Sequence, residues 1–287
     1  MSTGELALSE REFARVKARV YQVAGISLSE AKQTLVVSRL SKIVHRLGLS
    51  SFEQYLDFLE SPKGAKEQQD FINALTTNLT RFYREDHHFA HLRTYVEGLM
   101  RANKRTSPDG RPRLRIWSAG CSTGQEPYTI AMDLLAAFPD LRRWDFRILA
   151  TDIDTAVTAK AATGTYPESE LAGLSPERAR LFERAAPGTV RIPTAARNLV
   201  AFKQLNLIEG KWPMKGPFDA IFCRNVAIYF ERETQNTLFS RLGALLAPEG
   251  MLYIGHSENL GSASTGLRLV GKTTYQSLRQ TRPREAA

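Results

Sequence analysis

Apolar positions recur at helical spacing through the first hundred residues. Val36, Leu40, Ile43, Val44 and Leu47 fall on one face of a 3.6-residue repeat. SSFEQYLDFLE opens with a capping signal at Ser50 or Ser51 and continues as an amphipathic run. QDFINALTTNLTRFYRE reads as a helix or broken helix, and HHFAHLRTYVEGLM as a further one. Strand-like alternation is missing here. The pattern predicts an all-helical domain over residues 1–90, then a helix and polar linker over 91–112, where RANKRTSPDGRPR is rich in turn formers.

From residue 113 the period changes. RLRIWSAG, FRILATDID, LVAFKQLNL, FDAIFCRN and MLYIGHSE are short apolar runs that close on small or polar residues. QEPYTIAMDLLAAF, DTAVTAKAATG and ERETQNTLFSRLGALLAPEG are helical, the last with a Pro-Glu-Gly stop. This alternation predicts an α/β domain over 113–287 built on a doubly wound parallel sheet. Residues from about 164 to 198 break the rhythm and fit a small inserted subdomain. Trp117 and Phe222 read as core. Ligands of such sheets bind beyond the carboxyl ends of the strands, so the polar residues closing each run are the candidates for chemistry.

The first run leads into Gly120-Cys121-Ser122-Thr123-Gly124-Gln125-Glu126, where glycine lets the chain turn sharply beside a ligand. This is not the G-x-G-x-x-G of a dinucleotide site. The second run ends in Asp152, with Asp154 behind it. An acid there can accept hydrogen bonds from ribose hydroxyls. The pair points to an adenosyl ligand, either a nucleotide or S-adenosylmethionine.

Bulk composition narrows the class. The 287 residues, 43% hydrophobic and 24% charged, suit a large domain plus a smaller one. No apolar run approaches the roughly 20 residues that span a bilayer, and the N-terminus lacks an apolar signal region. Cys121 and Cys223 are far apart, which argues against a zinc or disulfide framework and fits a reducing cytoplasm. His87 and His91 are spaced i, i+4, but without HExxH they read as capping or packing residues, and no metal is expected. The net charge of +9 suits either a solvated arginine-rich surface or an acidic partner. Residues 1–90 are nearly balanced, with 12 Lys/Arg against 11 Asp/Glu, yet Lys32, Arg39, Lys42 and Arg46 have no acid among them. On a helical wheel these four fall within an arc of roughly 80°.

Taken in order, TTNLTRFYREDHHF, WSAGCSTGQEPYTIA, ATDID, PFDAIFCRNVAIYF and GHSENL resemble the CheR family of chemotaxis-receptor methyltransferases over nearly the whole chain. The resemblance implies a helical N-terminal domain, then a Rossmann-like S-adenosylmethionine methyltransferase domain with a small inserted antiparallel β-subdomain. It implies methyl transfer to receptor glutamates, giving methyl esters and S-adenosylhomocysteine. Asn78, Thr80 and Arg84 are implied to reach the cofactor from the N-terminal side. Glu126 and Asp152 are implied to bind its amino-acid and adenosine portions, and Asn206 and Leu207 to flank the adenine. Arg224 and Asn225 are placed at a strand end beside it. Arg84 and Tyr229 are implied to act at the reacting centre. Ala227 stands where the family often has methionine, a packing change.

In the family the second N-terminal helix lies against the acidic helical bundle of the receptor's cytoplasmic part, so Lys32, Arg39, Lys42 and Arg46 become candidate partner contacts. Reversing two of them, Arg39→Glu with Arg46→Glu, is expected to cut receptor methylation and to leave stability nearly intact. The short stretch ERAAPGTVRIPT, with the single glycine Gly188, implies no dependence on a receptor C-terminal pentapeptide. Neither nucleic acid nor membrane insertion is expected.

Three rival readings keep a foothold in the residues. Gly120-Cys121-Ser122-Thr123-Gly124 is a literal G-x-S-x-G with His256 downstream, as in a serine hydrolase, though it follows the first strand rather than several. A nucleic-acid methyltransferase would share the cofactor domain, but the basic stretch 31–49 has no interleaved aromatic residue. A non-enzymatic scaffold on the same fold would not need every motif position that is present.

Overall fold

The computed structural model describes residues 6–102, 106–261 and 266–279. The first five residues and positions 103–105 of the predicted linker lie outside the described residues. Helix α1 (Glu10–Ala24) opens on a reciprocal capping box between Ser9 and Glu12 and stops where Gly25 turns left-handed. Helices α2 (Gln33–Arg46), α3 (Phe52–Glu60) and α4 (Gln68–Leu75) follow, with Ser51 capping α3. Together these helices enclose their own core around Val16, Val20, Val36, Leu40, Tyr55 and Phe71.

The run from Gln68 to Glu85 is a broken helix. Thr76 is extended, and its hydroxyl donates to Asp154 Oδ2 at 2.6 Å instead of continuing the turn. Helix α5 (His87–Ala102) packs Phe89, Leu92 and Val96 into the core of the second half rather than on helices α1 to α4.

That sheet is assembled from β1 (Arg113–Ala119), β2 (Asp145–Asp152), β6 (Val200–Gln204), β7 (Phe218–Cys223), β8 (Leu246–Ile254), β9 (Leu267–Gly271) and β10 (Thr274–Ser277). Between them run α6 (Gln125–Ala137), α7 (Thr155–Thr163) and α10 (Arg232–Leu245). The inserted stretch holds β3 (Thr165–Pro167), α8 (Pro176–Ala179), β4 (Glu183–Arg184), β5 (Thr189–Arg191) and α9 (Thr194–Arg197). It carries a separate antiparallel sheet, in the order β3-β5-β4.

The main sheet has the order β6-β2-β1-β7-β8-β10-β9 and is parallel from β6 through β8. Residues alternate between its faces. Ile116 and Phe222 join the cluster under α5 and α6, while Trp117, Ile221 and Cys223 join the cluster under α10. Both expected core aromatics, Trp117 and Phe222, are fully buried.

Two elements differ from the pattern-based reading. Strand β8 begins at Leu246, before the Pro-Glu-Gly stop, because Leu246 already pairs with Phe218 and the strand irregularity absorbs the following residues. The β9–β10 hairpin was not anticipated; Gly271 to Thr273 turn it, and its short strands alternate only weakly. Among the described residues no helix is long and apolar enough to cross a membrane.

The basic stripe is not a uniform free surface. Lys32 precedes α2 in a separate 3₁₀ turn. Arg39 Nη1 donates to the carbonyls of Ala74, at 3.1 Å, and Thr76, at the end of α4. Arg46 pairs with Glu67 at 2.6 Å and Asp70 at 2.8 Å. The expectation of a neutral charge reversal is therefore corrected: helix-end carbonyls need a donor, and Arg39 provides it. Arg39→Glu is expected to lower stability by about 2 kcal/mol, and the half-exposed Arg46→Glu by roughly 1 kcal/mol or less, in urea unfolding. An unchanged midpoint for Arg39→Glu would show that water replaces the guanidinium at no cost.

Candidate active site

Strand β1 has β2 on one side and β7 on the other, so the chain connections diverge there and leave a crevice at their carboxyl ends. The helical domain closes over this crevice to form a cleft of about 540 Å³, within the usual range for small-ligand sites. Asn78, Thr80, Arg84, Glu126, Asp152, Asn206, Leu207, Arg224, Asn225 and Tyr229 all line it. Of the stripe residues, Lys32 also reaches the rim, whereas Arg39, Lys42 and Arg46 do not.

The floor is the turn from β1 into α6. Gly120 has φ of 84°, and a Cβ there would come within 2.2 Å of Val226. Only glycine allows the two strand-end loops to approach so closely. Asp152 closes β2. Its Oδ2 accepts the Ser122 N–H at 2.8 Å and its Oδ1 accepts that of Asp154 at 3.0 Å. The carboxylate is thus fixed in direction, with further lone pairs open to hydroxyl donors. Burial pushes its carboxyl above the ordinary range, against those same N–H donors.

Arg224 is the buried cation of the site, with a side chain only 2% exposed. It lies 3.5 Å from Glu126 Oε2 and 3.7 Å from Glu85 Oε2, and its Nη2 donates to the Arg84 carbonyl. Its Nε and Nη1 donors have no hydrogen-bond partner among the described residues. Glu126 also accepts the Ser118 hydroxyl at 2.7 Å; burial raises its carboxyl, opposed by Arg224 and that hydroxyl. Glu85 moves the other way. Burial acts to raise it, but the His256 hydrogen bond and the Arg224 charge outweigh that and hold it below its ordinary value.

Arg84 sits between two residues in the left-handed region, Tyr83 and Glu85, each with φ of 56°. Non-glycine residues persist there only when their surroundings dictate it. Asn225 is left-handed as well, with φ of 59°. Glu258 explains its loop: the carboxylate accepts the N–H groups of Asn225, Val226, Ala227 and Gly255 at 2.5–3.0 Å. Burial raises this carboxyl despite the four donors. Glu258, Glu85 and Ser118 were missed by sequence reasoning, although each lies in a block that carries the resemblance: GHSENL, TTNLTRFYREDHHF and WSAGCSTGQEPYTIA.

Some implied contacts are already engaged. The Asn206 amide donates to the Val23 carbonyl at 2.8 Å, and its oxygen accepts the Ile208 N–H at 3.2 Å. The Asn78 amide donates to Asp154 Oδ2 at 2.8 Å. These two side chains brace the helical domain against the sheet and line the cleft at the same time. Asp154 also caps α7 through the N–H groups of Ala156 and Val157.

The rival chemistries lack their geometry. The Ser122 hydroxyl donates to the Asn78 carbonyl at 3.0 Å, and His256 Nδ1 lies 3.0 Å from Glu85, so neither serves the other. The histidines gather differently from their i, i+4 spacing: His91 Nδ1 lies 3.0 Å from the Tyr253 hydroxyl, while Glu85, His87 and His88 bring ligand atoms within 4.8 Å. Arg224 beside Glu85 already supplies the positive charge that a cation would bring there. Burial, then Arg224 and His87, push His88 down to about 3. Cys121 and Cys223 are buried and free, and burial raises both thiols.

A parallel sheet with an acid closing β2 and a buried acid–arginine pair facing it defines an α/β enzyme that holds an adenosyl ligand bearing both charges of an amino acid. S-adenosylmethionine has that form. Asp152 suits its ribose hydroxyls, the carboxylate of Glu126 its ammonium, and the unpartnered donors of Arg224 its carboxylate. The chain belongs to the CheR methyltransferase family. Residues 78–276 match its S-adenosylmethionine-binding domain and residues 11–76 its all-alpha domain. It is 45% identical to chemotaxis protein methyltransferase 2 of Pseudomonas aeruginosa, covering 94% of each chain. It is 43% identical to the chemotaxis protein methyltransferase of Escherichia coli, over 95% of this chain and 93% of that one. With the probable chemotaxis protein methyltransferase of Rhizobium etli it shares 44% identity, over 90% and 96%. The protein is an S-adenosylmethionine-dependent methyltransferase, and the hydrolase and nucleic-acid readings fall away.

Proposed function

We propose that this enzyme esterifies glutamate side chains on the cytoplasmic helical bundle of methyl-accepting chemotaxis receptors. The observation that carries the reading is the arginine-bearing loop at the mouth of a cleft fitted to S-adenosylmethionine. A glutamate, with an ordinary pKa of about 4.3, is already a carboxylate near neutral pH, so no general base is needed. When bound, S-adenosylmethionine supplies a methyl carbon on a positively charged sulfur. The glutamate oxygen would bond to that carbon as the carbon–sulfur electrons stayed on sulfur, so the chain's residues would have no proton to move.

The chain's own task is therefore alignment. Asp152, Glu126 and Arg224 hold the cofactor's two ends. Arg84, tethered by Nη1 to the Leu79 carbonyl at 2.8 Å, offers the rest of its guanidinium fork to the incoming carboxylate. Tyr229 presents a ring beside the cationic centre. Thr80, Leu207 and Asn225 shape the walls. Lys32 at the rim and the exposed Lys42 steer the acidic bundle, with effects on encounter rate more than on affinity. A receptor tail is not part of the reading, because the β4–β5 connection is only Ala185–Gly188, closed by Ala185 N–H to Thr189 O at 3.1 Å.

Tritiated methyl transfer to receptor membranes tests the reading: the label is expected to be released as volatile methanol by alkali, at equal rates with tail-truncated receptors. Alkali-stable label, or loss of rate on truncation, counts against the ester or the tail-free docking respectively. Arg84→Ala is expected to lower turnover on the order of 100-fold, with S-adenosylhomocysteine affinity within about threefold. Tyr229→Phe keeps the ring face and Tyr229→Ala removes it, so the alanine variant is expected to lose more turnover. Affinity falling in step with turnover would move both residues to the cofactor.

A further inference from the structure

The inserted subdomain touches two segments that supply the cleft's lining, the turn from β1 into α6 and the loop that carries Arg84. On the floor side, the Tyr166 hydroxyl donates to the Thr123 carbonyl at 2.7 Å, and Glu170 accepts from Gln125 at 2.8 Å. On the mouth side, Phe182 meets Phe82 edge to face at 4.8 Å. Arg178, on α8, reaches further. Its guanidinium lies 4.0 Å over the Tyr83 ring and 2.6 Å from Asp86 Oδ1.

Tyr83 and Asp86 bracket Arg84 and Glu85. Two left-handed residues flank Arg84, and that shape relaxes unless something holds it. From inside the cleft, Arg224 takes the Arg84 carbonyl. From outside, Arg178 grips Tyr83 by its face and Asp86 by its charge. Stacking of this kind uses the planar guanidinium and is not reproduced by an uncharged chain.

We infer that the inserted subdomain is a working part of the active site, and that Arg178 is a positioning residue that acts through Tyr83 and Asp86 to keep the Arg84 loop in its bent form. Arg178 is distant in sequence from every strand-end motif and makes no contribution to the cofactor's walls. Its loss should therefore loosen the loop while sparing the cofactor. The inference rests on the methyl-transfer reading for its rate arm, and on no reading at all for its exchange arm.

The test measures Arg178→Ala, Arg178→Lys and Asp86→Asn in the full chain. Hydrogen–deuterium exchange over Thr80–His88 is expected to quicken at least about tenfold in Arg178→Ala, with β1 and β2 unchanged. The value of kcat is expected to fall about tenfold or more, with S-adenosylhomocysteine affinity within about twofold. Arg178→Lys, which keeps charge and stacking in part, should recover some of that rate. Asp86→Asn, at a half-exposed position that tolerates change, should reproduce the direction with a smaller effect. Unchanged exchange in the loop overturns the inference, and so does a loss of cofactor affinity equal to the loss of rate. If the parent enzyme transfers no methyl to receptors, the proposed substrate is wrong, and the exchange result still decides the role of Arg178.

Discussion

Replacing Arg224 with methionine is expected to weaken S-adenosylhomocysteine binding on the order of 100-fold or more and to lower stability by about 3–5 kcal/mol. Both effects have one origin. The guanidinium is buried between Glu85 and Glu126, and methionine fills part of its volume without its charge. Glu126 is then left as a buried carboxyl with the Ser118 hydroxyl but no cation, and it must take up a proton or be destabilising. The Nε and Nη1 donors disappear with it, and among the described residues no other buried arginine or lysine lines the cleft. Calorimetry with S-adenosylhomocysteine and a thermal melt measure the two parts separately. A folded Arg224→Met protein that binds within threefold of the parent would falsify the assignment of Arg224 to the cofactor's carboxylate.

The second large effect is expected at a residue that touches no ligand. Glu258→Gln keeps one oxygen for Val226 and Ala227 but turns an amino group toward the N–H groups of Asn225 and Gly255. Two buried donors lose their acceptor and meet another donor, at a combined loss of about 3 kcal/mol. In a chain of this size the melting temperature should fall by roughly 6–12 °C. The Asn225 loop should relax from its left-handed turn, and turnover should fall with it. A melting temperature within about 2 °C of the parent, equivalent to about 1 kcal/mol or less, would mean that the amide simply rotates and the loop holds by packing alone.

How far the sequence spoke for itself depended on the kind of information required. The closing residues of β1 and β2, and the whole of β7, are buried on both faces, so each shows as an apolar run that closes on a small or polar residue. Asp152 and Arg224 were legible for that reason, since a polar residue closing such a run has few places to be other than the crevice. The helical half was legible from the spacing of Val36, Leu40 and Val44, whose burial is complete.

What escaped were the demands of distant backbone. Nothing near Arg39 reveals that the last carbonyls of α4 need a donor, and nothing near Glu258 reveals four N–H groups in want of an acceptor. Asn206 and Asn78, singled out by the resemblance, line the cleft, but their amides are engaged by the Val23 carbonyl and Asp154, and no motif discloses the partner of a polar atom. The start of β8 was hidden by Pro248 and Gly250, which signal a turn locally while strand pairing with β7 overrides them.

The Asp154 carboxylate has a consequence for how the product escapes. One oxygen caps α7, and the other receives both Thr76 and Asn78 from the helical domain. Swinging that domain away from the sheet like a jaw would strip two hydrogen bonds from a buried charge next to the cap of a helix. Release of S-adenosylhomocysteine is thus better served by a standing doorway than by a hinge. Its departure is then expected to be governed by the contacts broken inside the chamber and not by an opening of the domains.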